Sequence, residues 1–132
     1  MKSLDTNVVL RLLLDDVPEQ TQQIQIMLEH AKPKSFFVAD AVFFEIAWVL
    51  GGQFFQFDRK LIGDMLLQIT KIPQIVCSRS VIEQVVPLYR AKSQLSFVDI
   101  YLAIYAKHMG ADPLLTYDRL LAKKVPDLTA LL

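Results

Sequence analysis

Apolar positions recur along this chain with two alternating periods, and the alternation predicts its elements. Residues 1–4 (MKSL) read as a short strand that runs into an acid. Residues 6–14 (TNVVLRLLL) place Val8, Val9, Leu12 and Leu13 on one stripe at helical spacing. Asp15 and Asp16 precede Pro18, a favoured first helical residue. An amphipathic helix is predicted from there over residues 18–31, with Ile24, Met27 and Leu28 on one face. Residues 36–39 (FFVA) have strand composition. Asp40 is predicted to cap a helix reaching about residue 50, which Gly51 and Gly52 end. Asp58 caps a further predicted helix through residue 70, and Pro73 interrupts the chain before a strand over residues 75–77. Residues 80–92 are helical in pattern, with Pro87 predicting a kink or break. A helix over 96–109 stops at Gly110. It is followed by a strand over 114–116, a short helix over 119–123 and a last strand near 128–132.

Strands alternating with helices predict an α/β fold with a mainly parallel sheet. No repeat, low-complexity tract or linker divides the chain, so residues 1–132 read as a single domain. Open sheets of this kind gather their sites beyond the carboxyl ends of the strands, where Asp5, Asp40 and Asp118 fall.

Composition narrows the picture. Apolar residues make up 53% of the chain, and mean hydropathy is +0.34, an excess that reads as surface buried against another subunit or a partner. The longest apolar stretch, residues 35–50, carries Asp40 and Glu45 and is too short and too charged to span a bilayer. The first residues read as a strand containing an acid, unlike a cleaved signal. The single cysteine, Cys77, excludes an internal disulfide and suits a reducing, cytoplasmic setting, as a small apolar core residue. Net charge is zero, so no global basic field draws in nucleic acid. Residues 1–66 hold 6 basic and 9 acidic groups and residues 67–132 hold 8 and 5, a modest asymmetry.

Four carboxylates stand in apolar surroundings: Asp5, Glu45, Asp99 and Asp118. A charge there loses hydration unless it is paired or bound to metal. Either each acid reaches solvent separately, or the four converge on a cation. Capping accounts for three of them singly. Asp5 can cap the first helix, Ser96 and Asp99 fit an S-x-x-D capping pattern, and Asp118 can cap the last helix. Glu45 is harder to place, because Val42, Phe43, Phe44, Ile46, Ala47 and Trp48 surround it in sequence and leave no evident solvated face. Convergence would explain all four together. Hard divalent cations take carboxylate oxygens, waters and substrate phosphates. They lower the pKa of bound water and stabilise charge during in-line displacement at phosphorus. No His/Cys cluster competes, since His30 and His108 fall at expected helix carboxyl ends.

These residues carry a resemblance. The segments LDTNVVLRLLL (4–14), FFEIAWVL (43–50), LSFVDIYLAIYAKHMG (95–110) and PLLTYDRLLAK (113–123) resemble the PIN-domain nucleases in order and spacing, over essentially the whole chain. Specifically, the chain resembles the VapC-like toxins of bacterial and archaeal toxin–antitoxin pairs. The resemblance implies a PIN-like three-layer sandwich, with a central mainly parallel sheet and helices on both faces. It implies that Asp5, Glu45, Asp99 and Asp118 bind Mg²⁺, with Mn²⁺ as a substitute, and carry RNA phosphodiester hydrolysis. Thr6 and Asn7 match the polar pair after the first acid, and Asn7 would order the acids by hydrogen bonding. Ser96 and Thr116 match polar positions near the site; cap and strand duty is the alternative for both. The bulk of Ile100, Tyr101 and Tyr105 after Asp99 departs from the usual smaller residues and alters the expected pocket shape.

The resemblance further implies a cytoplasmic endoribonuclease, a homodimer and a cognate antitoxin protein that blocks the site. Arg11 and Arg119 are candidate RNA contacts, and Lys107, Lys123 and Lys124 could extend a basic rim; solvated surface is the alternative for all of these, and an antitoxin contact is a further one for Arg11. Tyr101, Tyr105 and Tyr117 read as packing residues more than stacking platforms. Phe54, Phe55 and Phe57 are candidate interface residues, or a loop folded on its own core. Three alternatives share or approach this pattern: an RNA-maturation nuclease without a toxin role, a catalytically silent PIN scaffold, and a phospho-acceptor receiver domain. The receiver needs an acidic pair after its first strand and a central acid after its third. Asp5 stands alone, and residues 76–78 offer no acid.

Overall fold

Asp5 starts the first helix because its carboxylate Oδ1 accepts the Val8 N–H at 3.0 Å, satisfying an amide that the helix itself leaves open. The computed structural model describes all residues 1–132, as seven helices and five strands. They fall into two compact units, residues 1–79 and residues 80–132.

In the first unit the order is β1 (Lys2–Ser3), α1 (Thr6–Leu14), α2 (Pro18–Glu29), β2 (Phe36–Phe37), α3 (Asp40–Gly51), α4 (Arg59–Thr70) and β3 (Ile75–Val76). The strands pair in parallel in the order β1-β2-β3, with Lys2 beside Phe36 and Phe36 beside Ile75. They are shorter than the apolar runs suggested. Ladder bonds still extend past them: Leu4 N–H reaches Phe37 O at 2.9 Å and Val38 N–H reaches Val76 O at 3.0 Å. Val9, Val38, Phe43, Ile46, Leu50, Ile62 and Leu66 are fully buried. The loop joining α3 to α4 is tied down by Gln56 N–H to Gly52 O and Phe57 N–H to Leu50 O, both 2.9 Å.

The second unit runs α5 (Arg79–Ala91, its first residue lying across the boundary), α6 (Phe97–His108), β4 (Leu114–Thr116), α7 (Arg119–Lys124) and β5 (Thr129–Leu131). β4 and β5 pair in parallel, Leu114 beside Thr129. Every strand pairing in the chain is therefore parallel, and the mixed α/β class expected from the pattern holds. No helix is long and apolar enough to cross a membrane.

Several local expectations are corrected. Ala39 is the N-cap residue of α3, and Asp40 is already helical. As an acid in the first turn it still favours the helix dipole. α2 ends at Glu29, two residues early, and the His30 ring Nδ1 lies 2.8 Å from Ile26 O at that end. Thr21, Ile24 and Leu28 form its buried stripe, and Met27 lies outside it. α5 continues unbroken through Pro87. Pro87 lies on the exposed side of the helix, where its ring meets no packed neighbour. Tyr101 packs as expected, but Tyr117 is 80% exposed.

Candidate active site

In the first unit the chain leaves β1 at Leu4, which is buried and held to Phe37, and turns into α1 at once. Asp5 thus stands at the carboxyl end of a strand and the amino end of a helix, where the partial positive charge suits a carboxylate. One residue on, the Thr6 hydroxyl donates to Glu45 Oε2 on α3, linking positions 39 apart in sequence. Asp5, Thr6, Asn7 and Glu45 line one cleft of about 670 Å³ together with Arg11 and Phe55. Asp5, Asn7 and Arg11 also line a neighbouring cleft of about 410 Å³, facing Gln20 and Gln23 of α2.

The exposure of the acids differs from the sequence expectation. Glu45 is exposed, because Ala41, Glu45 and Trp48 follow each other at helical spacing on one outward face of α3. Trp48 itself is 83% exposed, so the apolar neighbours in sequence do not enclose Glu45. Asp5 and Asp118 are exposed as well, and Asp99 is half-buried. Burial therefore does not force these acids onto a cation. Their donor chemistry permits one: Asp5 caps with Oδ1 and Glu45 accepts with Oε2, so each keeps its second oxygen outside those bonds. Two such carboxylates beside a hydroxyl form an all-oxygen set that fits a hard divalent cation completed by waters and phosphate.

In the second unit, Ser96 Oγ accepts the Asp99 N–H at 3.1 Å and caps α6, which carries Asp99 in its first turn. Thr116 Oγ1 accepts the Asp118 N–H at 2.9 Å, and Asp118 Oδ1 accepts the Leu121 N–H at 3.0 Å, capping α7. Ser96 and Thr116 thus have local duties beside their acids, and Arg119 is exposed next to Asp118. Within neither unit do three or more His, Cys, Asp or Glu side chains gather at metal-binding spacing.

Two further expectations change. Asn7 is exposed, and no hydrogen bond joins it to Asp5 or Glu45; Thr6 makes that link. Arg11 is held by Asp16 and Gln20, two partners that its place in α1 did not reveal. The DDVPEQ turn was the available signal, because it folds α2 back beside α1 and brings its polar residues to Arg11. Phe54 is 88% exposed at the rim of the larger cleft, while Phe55 and Phe57 are half-buried with their rings in edge contact.

A family model described as PIN domain matches residues 3–126. No curated protein matches the chain.

Proposed function

Since the chain belongs to the PIN domain family, whose members are generally metal-dependent nucleases, we propose that it is a Mg²⁺-dependent endoribonuclease acting as the toxin of a toxin–antitoxin pair. The observation that carries this reading is the larger cleft, where Asp5 and Glu45 each present an oxygen outside their structural bonds. Asp5, Glu45, Asp99 and Asp118 are the proposed metal-holding and catalytic acids. A bound Mg²⁺ would supply charge neutralisation at the scissile phosphate and a lowered pKa for an attacking water, and Mn²⁺ could substitute.

The protein's own groups do the positioning. Asp5 is fixed by its capping bond and needs no reorganisation to present Oδ2. Thr6 restrains the Glu45 carboxylate through its hydroxyl, so a rotamer-rich side chain is held before substrate arrives. Thr116 fixes the backbone at Asp118, and Arg119 beside it is a proposed RNA contact. The proposed homodimer and cognate antitoxin are supported by exposed Trp48 and Phe54, large apolar groups that a partner would cover. Light scattering should give twice the chain mass of 15.1 kDa, and a monomer at working concentration would remove the dimer.

The decisive experiment is induced expression in a bacterium, following growth and mapping new RNA 5′ ends, for the unmutated chain beside Asp5→Asn and Asp99→Asn. Growth arrest with discrete new ends only in the unmutated chain is expected. New ends without arrest would favour an RNA-maturation nuclease. Soluble protein giving neither would favour a silent PIN scaffold.

A further inference from the structure

Arg11 is the only cationic side chain lining either of the two clefts that meet at Asp5. Its side chain is held from two sides. Its Nη1 donates to both Asp16 Oδ1 and Asp16 Oδ2 at 3.0 Å, and its Nε donates to Gln20 Oε1 at 3.1 Å. Its backbone is fixed too: the Arg11 carbonyl accepts the Thr21 hydroxyl at 2.7 Å and the Asp15 N–H at 3.2 Å. Asp15 takes the left-handed conformation at φ 50°, which turns the chain so that Asp16 faces back towards α1.

A guanidinium offers five N–H donors in a rigid fork. Nε and Nη1 are engaged with Gln20 and Asp16, and no bond within the chain engages Nη2. The Arg11–Asp16 pair is partly exposed, with side chains 30% and 42% accessible, so water screens it and it leaves Arg11 able to attract a further anion. Asp5, Asn7 and Arg11 line both clefts, so a strand crossing from one cleft to the other passes Arg11 and Asp5.

Building on the nuclease reading above, we propose that Arg11 is an RNA-phosphate anchor, preset by Asp16 and Gln20, which seats a single-stranded RNA backbone across the two clefts. Asp16 and Gln20 act as positioning residues: they hold the fork in one orientation before RNA binds, so less side-chain freedom is lost on binding. Asp5, Asp16 and Glu45 all repel phosphate in the same cleft, and Arg11 is the one cationic side chain there that opposes them. A brace between α1 and α2 with no ligand is the competing role for the same bonds. It predicts effects on stability alone.

The test uses the full chain carrying Asp5→Asn, so that RNA is bound without turnover, and a labelled single-stranded RNA of about 12 nucleotides and mixed sequence. Binding is followed by anisotropy from about 50 to 200 mM salt. Adding Arg11→Gln should lower affinity about tenfold, as expected for a lost charge-assisted phosphate contact. It should also flatten the log–log salt slope by about 0.7, the share of one phosphate contact on a single strand. Arg11→Lys should keep the slope, because the charge remains, and recover only part of the affinity. Unchanged slope and affinity in folded Arg11→Gln protein would overturn the proposal, as would no binding of the probe by the parent. Should Arg11→Gln not fold, phenylglyoxal modification of the parent decides: saturating RNA should slow reaction at Arg11, and equal rates would overturn the anchor. Cleavage by the unmutated chain is scored separately. Arg11-dependent binding without cleavage keeps the anchor and removes the nuclease, and cleavage with Arg11-independent binding removes the anchor alone.

Discussion

At Asp5 one carboxylate oxygen closes the amino end of α1, and the other is the one proposed to hold the metal. The two duties separate by substitution. Asparagine caps a helix about as well as aspartate, whereas alanine does not. Asp5→Asn should therefore stay within a few tenths of a kcal/mol of the parent in urea unfolding, and Asp5→Ala should lose about 1 kcal/mol. Both should lose RNA cleavage. If Asp5→Asn destabilised the chain as much as Asp5→Ala, the charge and not the cap would be what the fold needs. At this scale the sequence was misleading about environment. The four acids could be picked out from their apolar neighbours, but Asp5, Glu45 and Asp118 turn out to be exposed. Neighbours in sequence point all round a helix, and only those on the same face share a residue's environment.

The elements follow from local rules with few exceptions. α1 and β4 occupy the ranges their patterns predict, and the Asp58 and Ser96 caps bond to Leu61 N–H and Asp99 N–H. Gly110, just past α6, takes φ 70°, where a side chain is strained. Gly110→Ala should lower stability by about 1 kcal/mol through that backbone strain alone, since no atom crowds the new methyl group. Urea midpoints at unchanged m-value would show it, and a neutral result would mean the turn relaxes. At Gly52 the logic differs. Its φ of −74° suits any residue, but an added Cβ would stand 3.3 Å from the Trp48 carbonyl, so close backbone approach is what glycine permits there. The strands were legible only as apolar runs. A two-residue strand such as β2 is defined by its partners' ladder bonds, which no local pattern contains.

For the whole molecule, the proposed metal has a consequence that does not depend on turnover. A ligand that binds only the folded state stabilises it by mass action, by about 2.7 kcal/mol at a hundredfold excess over its Kd. Mg²⁺ titrated into the unmutated chain should raise the thermal midpoint, and Asp5→Asn or Glu45→Gln should weaken that response. An equal response in all three proteins would mean the ion binds elsewhere. The same measurement leaves the Arg11 anchor untouched, because Arg11 donates hydrogen bonds and offers no ligand to a cation.

By itself the sequence determined the α/β class, most helix limits, the caps at Asp5, Asp58, Ser96 and Asp118, and the all-oxygen chemistry available to Asp5 and Glu45. Each of these is written in residue type and short-range spacing, and backbone geometry translates them directly. The tertiary structure alone decided that Thr6 meets Glu45 across 39 positions, that Glu45 and Trp48 face outward, and that Arg11 is clasped by Asp16 and Gln20. Those outcomes depend on which helix face the rest of the unit covers and on how the chain returns after a turn. Packing sets both, through contacts between segments whose local patterns carry no record of each other.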